Sequence, residues 1–374
     1  MGNLKITRTF HPIGQGGFYS ERHNNFNIVY DCGVHPISNY GKTLAGSVFS
    51  KNENIDVLFL SHFDYDHIST IPMLRKSVKS ISTVIIPLLT NKQKNLLINI
   101  NRILSHSFIT LIKNPGAYFG PNTTIVYVNS DDDQKPDNED DLVDLRDLSE
   151  SREKKIEVAS GTRFTLRDTP GWVFIPYNHK HEERHVDLIK RIGSFGKKYN
   201  IQRLESDPDY TIAQLTDKNT RTELKTIYEE LDGNINENSM LVYSGPINNF
   251  SAKNMWMYVS TENEYFCSIN YNCRVGCIYT GDSDFNKFRL KDIYPYHKKY
   301  VGTVQVPHHG SIKSFNMKGL EGFYDLICPI SYGTKNSHSH PDWSIVSALS
   351  LRQFSPILIT ENPSSKVVQR IYFK

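Results

Sequence analysis

The sequence has little cysteine, no long apolar run and almost no excess charge, and each shortage removes a class of protein. No stretch approaches the roughly eighteen consecutive apolar residues of a membrane-crossing helix, so no membrane partner is expected. The opening Met1-Gly2-Asn3-Leu4-Lys5-Ile6 lacks an apolar leader segment, so no secretory signal is expected. A strand beginning at Leu4 explains Gly2 better than an acylation site does. Cys32, Cys267, Cys273, Cys277 and Cys328 are odd in number and unevenly spread. That excludes a disulfide scaffold and fits a cytoplasmic protein with reduced thiols. Cys273 and Cys277 lack the second pair that a structural zinc site needs. Lys and Arg total 43 against 40 Asp and Glu, a formal charge of +3. A domain that holds nucleic acid by charge alone is more basic, so a polyanionic substrate is permitted but not demanded.

Three familiar motifs are also missing. Gly14-Gln15-Gly16-Gly17 is followed by neither a Lys-Ser/Thr pair nor a helix, so it reads as a hairpin turn rather than a phosphate loop. The acidic run from Ser130 to Asp141 lacks the spacing, glycine and terminal Glu of a calcium loop, so it reads as a solvated loop. His181 and His185 are four apart but lack the Glu of a zincin helix, which favours a basic solvated face.

What remains is ample for a large core: 38% hydrophobic and 11% aromatic residues in 374. Apolar runs at 5–11, 27–33, 55–60, 83–87, 123–128, 164–166, 172–177, 238–243, 255–259, 265–277 and 302–306 read as strands. Periodic segments at 68–79, 91–109 and 343–354 read as helices, and the alternation points to an α/β layer architecture. Residues 178–233 turn charged and helical, like an insertion on that scaffold.

The chemistry concentrates in Ser61-His62-Phe63-Asp64-Tyr65-Asp66-His67, directly after the buried run Ile55–Leu60. Four potential ligands lie within six residues, and an extended segment would turn His62, Asp64 and Asp66 the same way, with His67 following as a turn or helix begins. Imidazole with carboxylate suits zinc, and more carboxylate accommodates manganese. Three later strand ends also release Asp or His: Thr280-Gly281-Asp282, Pro307-His308-His309-Gly310-Ser311, and Ser331-Tyr332-Gly333 leading to His338 and His340. Together they imply one site on one edge of the sheet. Asp31, at a strand end before Gly33, reads equally as an ordinary turn residue or as a carboxylate supporting the metal loop.

These pieces, with Gly14-Gln15-Gly16, Asp31-Cys32-Gly33 and Asn238-Ser239-Met240-Leu241-Val242, arrive in an order that resembles metallo-β-lactamase-fold hydrolases. Within them the chain is most similar to the soluble hydrolase domain of ComEC-type DNA-uptake proteins. The resemblance implies an αββα sandwich over residues 1–374, with 130–235 as an acidic loop plus helical insertion, and two divalent metal ions, zinc or manganese, at one edge. It implies His62 and Asp64 on the first ion, with Asp64 where many relatives carry histidine, and Asp66 and His67 on the second. Asp282 would bridge, and His309 or His308 would complete the shell. The other histidine of that pair, with His340, suits a phosphate contact or protonation of the leaving group. His179 stands where some relatives supply a further ligand.

The expected activity is a nuclease or phosphodiesterase acting on nucleic acid, in which paired cations acidify a water and stabilise phosphoryl charge, while Asp66 or Asp64 takes the proton. Lys190, Arg191, Lys197, Lys198, Tyr199, Lys313, Tyr332 and Lys335 are candidate contacts to a nucleic-acid backbone. A small-molecule ester, lactone or phosphoester hydrolase and a non-catalytic binding module are the alternatives. The 178–235 insertion is a candidate protein-partner or self-association surface.

Overall fold

In the computed structural model, residues 5–91, 106–130, 142–179, 239–247, 255–260 and 274–373 are described, with isolated positions at 93–94, 97 and between 200 and 219. The helix expected at 91–109 is therefore covered only in part, and the acidic run, most of the helical insertion and the expected strand before Gly276 lie outside the described residues.

Seventeen strands are described, in chain order β1 Lys5–Phe10, β2 Phe18–His23, β3 Phe26–Cys32, β4 Asn54–Phe59, β5 Ser80–Pro87, β6 Thr124–Val128, β7 Leu142–Asp144, β8 Lys155–Val158 and β9 Arg163–Thr165. They continue as β10 Trp172–Tyr177, β11 Leu241–Pro246, β12 Met255–Ser260, β13 Gly276–Tyr279, β14 Val301–Val304, β15 Ile327–Ser331, β16 Ser355–Ile359 and β17 Val367–Phe373. One sheet runs β12-β17-β1-β2-β3-β4-β5-β6-β8 and the other β16-β15-β14-β13-β11-β10-β9-β7. The stretch from β3 through β8 pairs in parallel, as does the stretch from β13 to β16.

Side-chain alternation builds the layers. In β4, Val57 and Phe59 enter the core between the sheets, while Leu58 between them faces the outer helices. In β10, Trp172 and Phe174 face the other sheet and Val173 and Ile175 face outward, again into an apolar layer. Sheets buried on both faces explain why these strands read as continuous apolar runs. The helices cover the outer faces: α1 Asn39–Ala45, α2 Tyr65–Ile68, α3 Ile71–Ser77, α4 His106–Lys113 and α5 Pro115–Phe119. Later come α6 Leu145–Glu150, α7 Leu290–Ile293 and α8 Trp343–Leu351. The single helix expected at 68–79 is instead α2 and α3. Thr70 takes up non-helical backbone between them, Pro72 sits in the first turn of α3, and β5 already starts at Ser80. No helix of the described residues is long and apolar enough to cross a membrane.

The same alternation carries charge into the centre. Arg8 lies between Ile6 and Phe10 on the inward face of β1, and Glu21 lies between Tyr19 and His23 on β2; both are fully buried. Arg8 Nε donates to Glu21 at 2.7 Å, and Arg8 Nη1 reaches Gln369 at 2.9 Å and the Val275 carbonyl at 3.1 Å. Glu21 also accepts from Tyr279 at 2.9 Å and Ser244 at 2.8 Å, so each charge is paired across the two sheets. Burial alone would raise the Glu21 pKa, but Arg8 and His23 outweigh it and hold it at about 2.

Replacing either partner alone, Arg8→Met or Glu21→Met, strands a buried charge and is expected to cost about 3–5 kcal/mol in urea unfolding, with the double variant costing less than either single one. Because the folded Glu21 pKa lies below its ordinary value of 4.5, its contribution is complete above about pH 4.5 and declines toward pH 2. A Glu21→Gln protein should lose that acid-sensitive component; equal pH profiles would contradict the assignment.

Candidate metal centre

The strand ends meet at one rim, where the parallel strands of both sheets deliver their carboxyl-terminal loops, a usual location for α/β sites. Strand β4 stops at Phe59, and Asp64 opens α2 at its N-cap position without its side chain capping that helix. The expected same-side display of His62, Asp64 and Asp66 does not arise by alternation, because the backbone is already helical at Asp66. His62 and Asp66 converge through the turn instead. This turn is wedged against the glycine-rich segment: Gly17 N donates to the Asp66 carbonyl at 3.1 Å. A Cβ on Gly33 would come within 2.5 Å of His67 C and Ile68 N. Glycine here permits close backbone packing, and the 11–17 segment itself turns between the antiparallel β1 and β2, as the hairpin reading expects.

Ligand atoms from Asp66, His67, Asp282 and His309 lie within 4.8 Å of one another. The Asp282 carboxylate is the hub. Its Oδ1 is 3.0 Å from His67 Nε2 and 3.9 Å from His309 Nε2. Its Oδ2 is 3.7 Å from both His62 Nε2 and His308 Nε2. His309 Nε2 also sits 3.1 Å from Asp66 Oδ2. His340 stacks near this group, its ring 5.5 Å from His308 and 6.3 Å from His309. Both His308 and His309 have positive φ, 47° and 56°, which turns the two rings toward the rim from adjacent positions. His309 joins the tight group and His308 stands just outside it, a distinction the sequence left open. His179 is placed elsewhere, against Phe288 at 5.4 Å and Tyr177 at 6.4 Å.

Each imidazole is held from behind by its other nitrogen. His67 Nδ1 is 2.8 Å from Asp31 Oδ2, and Asp31 also accepts from Ser61 N at 2.8 Å and Ser61 Oγ at 2.7 Å. Of the two readings of Asp31, the structure therefore carries the one that supports the loop. His62 Nδ1 lies 2.9 Å from both Ser61 Oγ and Ser239 Oγ, and Ser239 accepts from Asp282 N. His309 Nδ1 is 2.8 Å from the Ser331 carbonyl, and His308 Nδ1 is 2.9 Å from Ser314 Oγ. Since a carbonyl or carboxylate only accepts, Nδ1 of His309 and His67 carries the proton, leaving Nε2 of a neutral ring with its lone pair toward Asp282. Ser239 and Ser314 were not singled out by residue type. Only their position behind His62 and His308 marks them.

The electrostatics fit a cation site. Burial pushes the His62 pKa down to about 4, and His62 Nε2 is buried without a hydrogen-bond partner among the described residues. Burial would lower His67 too, but Asp282 and Asp31 outweigh it and drive the pKa well up. Burial would raise Asp282, yet His308 and His67 hold it well below the ordinary carboxylate range. Carboxylates and imidazoles aimed at one small volume form a donor set suited to a divalent ion of borderline softness. In a metal-free protein, protons on His67 and His309, the two rings whose pKa is raised, supply the balancing charge.

Asp31→Asn keeps the shape but weakens the acceptor that orients His67. It is expected to lower affinity for zinc or manganese about 10- to 100-fold in chelator competition. An unchanged affinity would remove Asp31 from the support of the site.

Residues 20–150 match the metallo-beta-lactamase superfamily. That stretch includes the 61–67 segment but neither Asp282 nor the later histidines. Among solved structures, the metallo-beta-lactamase fold protein YhfI from Bacillus subtilis is 11% identical, covering 98% of this chain and 99% of its own at a TM-score of 0.39. Human tRNase Z, short form, is 10% identical, covering 94% and 92% at a TM-score of 0.35. No curated protein matches the chain. The match covers about a third of the chain, and the two facing sheets with their outer helices form the αββα sandwich expected from the sequence.

Proposed function

We propose that the chain is a metal-dependent hydrolase of phosphodiester bonds, with nucleic acid as substrate, and that residues 1–374 form one domain carrying the 130–235 insertion. The observation that carries this reading is the Asp282 carboxylate ringed by Nε2 atoms of His62, His67, His308 and His309, whose Nδ1 atoms are already engaged. In this reading Asp66, His67, His309 and Asp282 would hold one ion, and His62 and Asp64, with Asp282, a second. Divalent cations held there would supply Lewis-acid polarisation of a phosphoryl oxygen and acidify a water at neutral pH.

The remaining chemistry falls to the chain. Burial would raise Asp66, but the His309 hydrogen bond outweighs it and keeps the carboxylate ionised, so Asp66 orients. Asp64, at the N-cap position of α2 in the same turn, is the carboxylate assigned to accept the proton of the attacking water. Burial, then His309 and His308, push His340 down to about 4, so near pH 7 it is neutral. A neutral imidazole beside His308 suits a hydrogen bond to a phosphoryl oxygen rather than protonation of the leaving group. The buried thiols of Cys32, Cys277 and Cys328 support a reducing, cytoplasmic setting.

The test is cleavage of labelled single- and double-stranded DNA and RNA with manganese or zinc added. Metal-dependent cutting that disappears in an Asp282→Ala, His67→Ala double variant is expected. A metal-loaded protein that cuts none of these but hydrolyses a lactone or a chromogenic ester would move the assignment to small esters. His340→Ala should lower kcat about 10²-fold with little change in metal content; unchanged kcat would remove His340 from the reaction.

A further inference from the structure

Beside the metal rim lies a cavity of about 220 Å³ between the 13–15 turn, residues 34–38 and the 333–336 loop. It shares two walls with the cluster. Gln15 lines the cavity, while Gly17, two residues on, packs against His67 Nδ1. Asn336 lines it too, and its Nδ2 donates to the His340 carbonyl at 2.6 Å. The two walls are joined, Gly333 N donating to Gln15 Oε1 at 3.2 Å.

Its size and chemistry restrict what fits. That volume is too large for a single ion and suited to one ring system. Ile13 and Val34 give it an apolar floor. The polar groups of its wall are largely committed inward. Ser38 Oγ caps α1 through Gly41 N, Asn336 Oδ1 accepts from His338 N and His340 N, and Glu361 accepts from Thr334 N. Lys335 stands exposed in the wall, its charge close enough to help lower the pKa of the Glu361 carboxylate beside it. An apolar slot with a cation in its wall, opening next to a phosphoryl site, matches a flat, weakly polar ring attached to an anionic phosphate.

We propose that this cavity receives a nucleobase of the substrate, the one attached to a nucleotide flanking the scissile phosphate, with Lys335 pairing to a neighbouring phosphate. The assignment rests on the phosphodiesterase reading above and deepens it: recognition comes from one base taken out of its stack, which favours single-stranded over duplex substrate.

The experiment compares deoxyadenosine 5′-monophosphate with 2-deoxyribose 5-phosphate by calorimetry on the metal-loaded protein. Both bring the phosphate; only one brings a base. The nucleotide should bind at least tenfold more tightly. Lys335→Trp, at an exposed position, should obstruct the cavity and bring the two ligands to equal affinity without changing metal content or melting temperature. His35→Trp repeats the obstruction from the opposite wall. Equal affinities in the unmodified protein, or full discrimination in both obstructed variants, would overturn the cavity assignment. If it falls in this way while DNA or RNA is still cut, the nuclease reading survives alone. If the nucleotide is preferred and the preference is lost in the obstructed variants, but no nucleic acid is cleaved, the base cavity stands and the nuclease reading falls.

Discussion

A buried carboxylate, Asp282, facing four imidazoles is the constraint that the rim of this protein is built to satisfy. Desolvating a carboxylate is costly unless opposite charge or donors surround it. Here the surrounding groups come from chain segments far apart in sequence: 61–67 after β4, 280–284 after β13 and 307–311 after β14. Each imidazole needs a second partner on its far side, and those partners come from still other elements. Asp31 ends β3, Ser239 precedes β11 and Ser331 ends β15. Loss of any one element would release a ring, and with it a share of the compensation for Asp282.

The Arg8–Glu21 network plays the complementary part at the centre of the sandwich. It ties β1, β2 and β17 of one sheet to β11 and β13 of the other, the last being the strand whose following loop carries Asp282. Fully bonded polar groups specify register more sharply than apolar contact does, since a slipped strand would leave charges unpaired. Fixed sheets with side chains locked from behind are what a site needs when distances matter at the ångström scale.

Much of the fold and the first segment of the site could be read from the chain alone. The run Ile55–Leu60 is apolar because β4 is covered on both faces, and His62 to His67 crowd ligand types into one turn. What escaped reading depends on contacts across long separations. Ser239 is an unremarkable residue until the fold sets its hydroxyl against His62, 177 positions away. The difference between His308 and His309 lies in distance, since only His309 comes within 3.1 Å of Asp66 in the tight group. Arg8 and Glu21 fall on the apolar half of the alternation, beside Ile6, Phe10 and Tyr19, and only the facing sheet shows what pairs with their charges. The break between α2 and α3 went unseen because helical periodicity persists across it, while the backbone at Thr70 does not.

Metal stoichiometry tests the central claim most directly. Chelator-stripped protein is titrated with manganese or zinc, and bound metal is counted by mass spectrometry beside an Asp282→Ala variant whose melting is checked. The account predicts two equivalents on the unmodified chain, and loss of at least one in the variant. Equal uptake by both proteins, or no tight uptake by either, would contradict it.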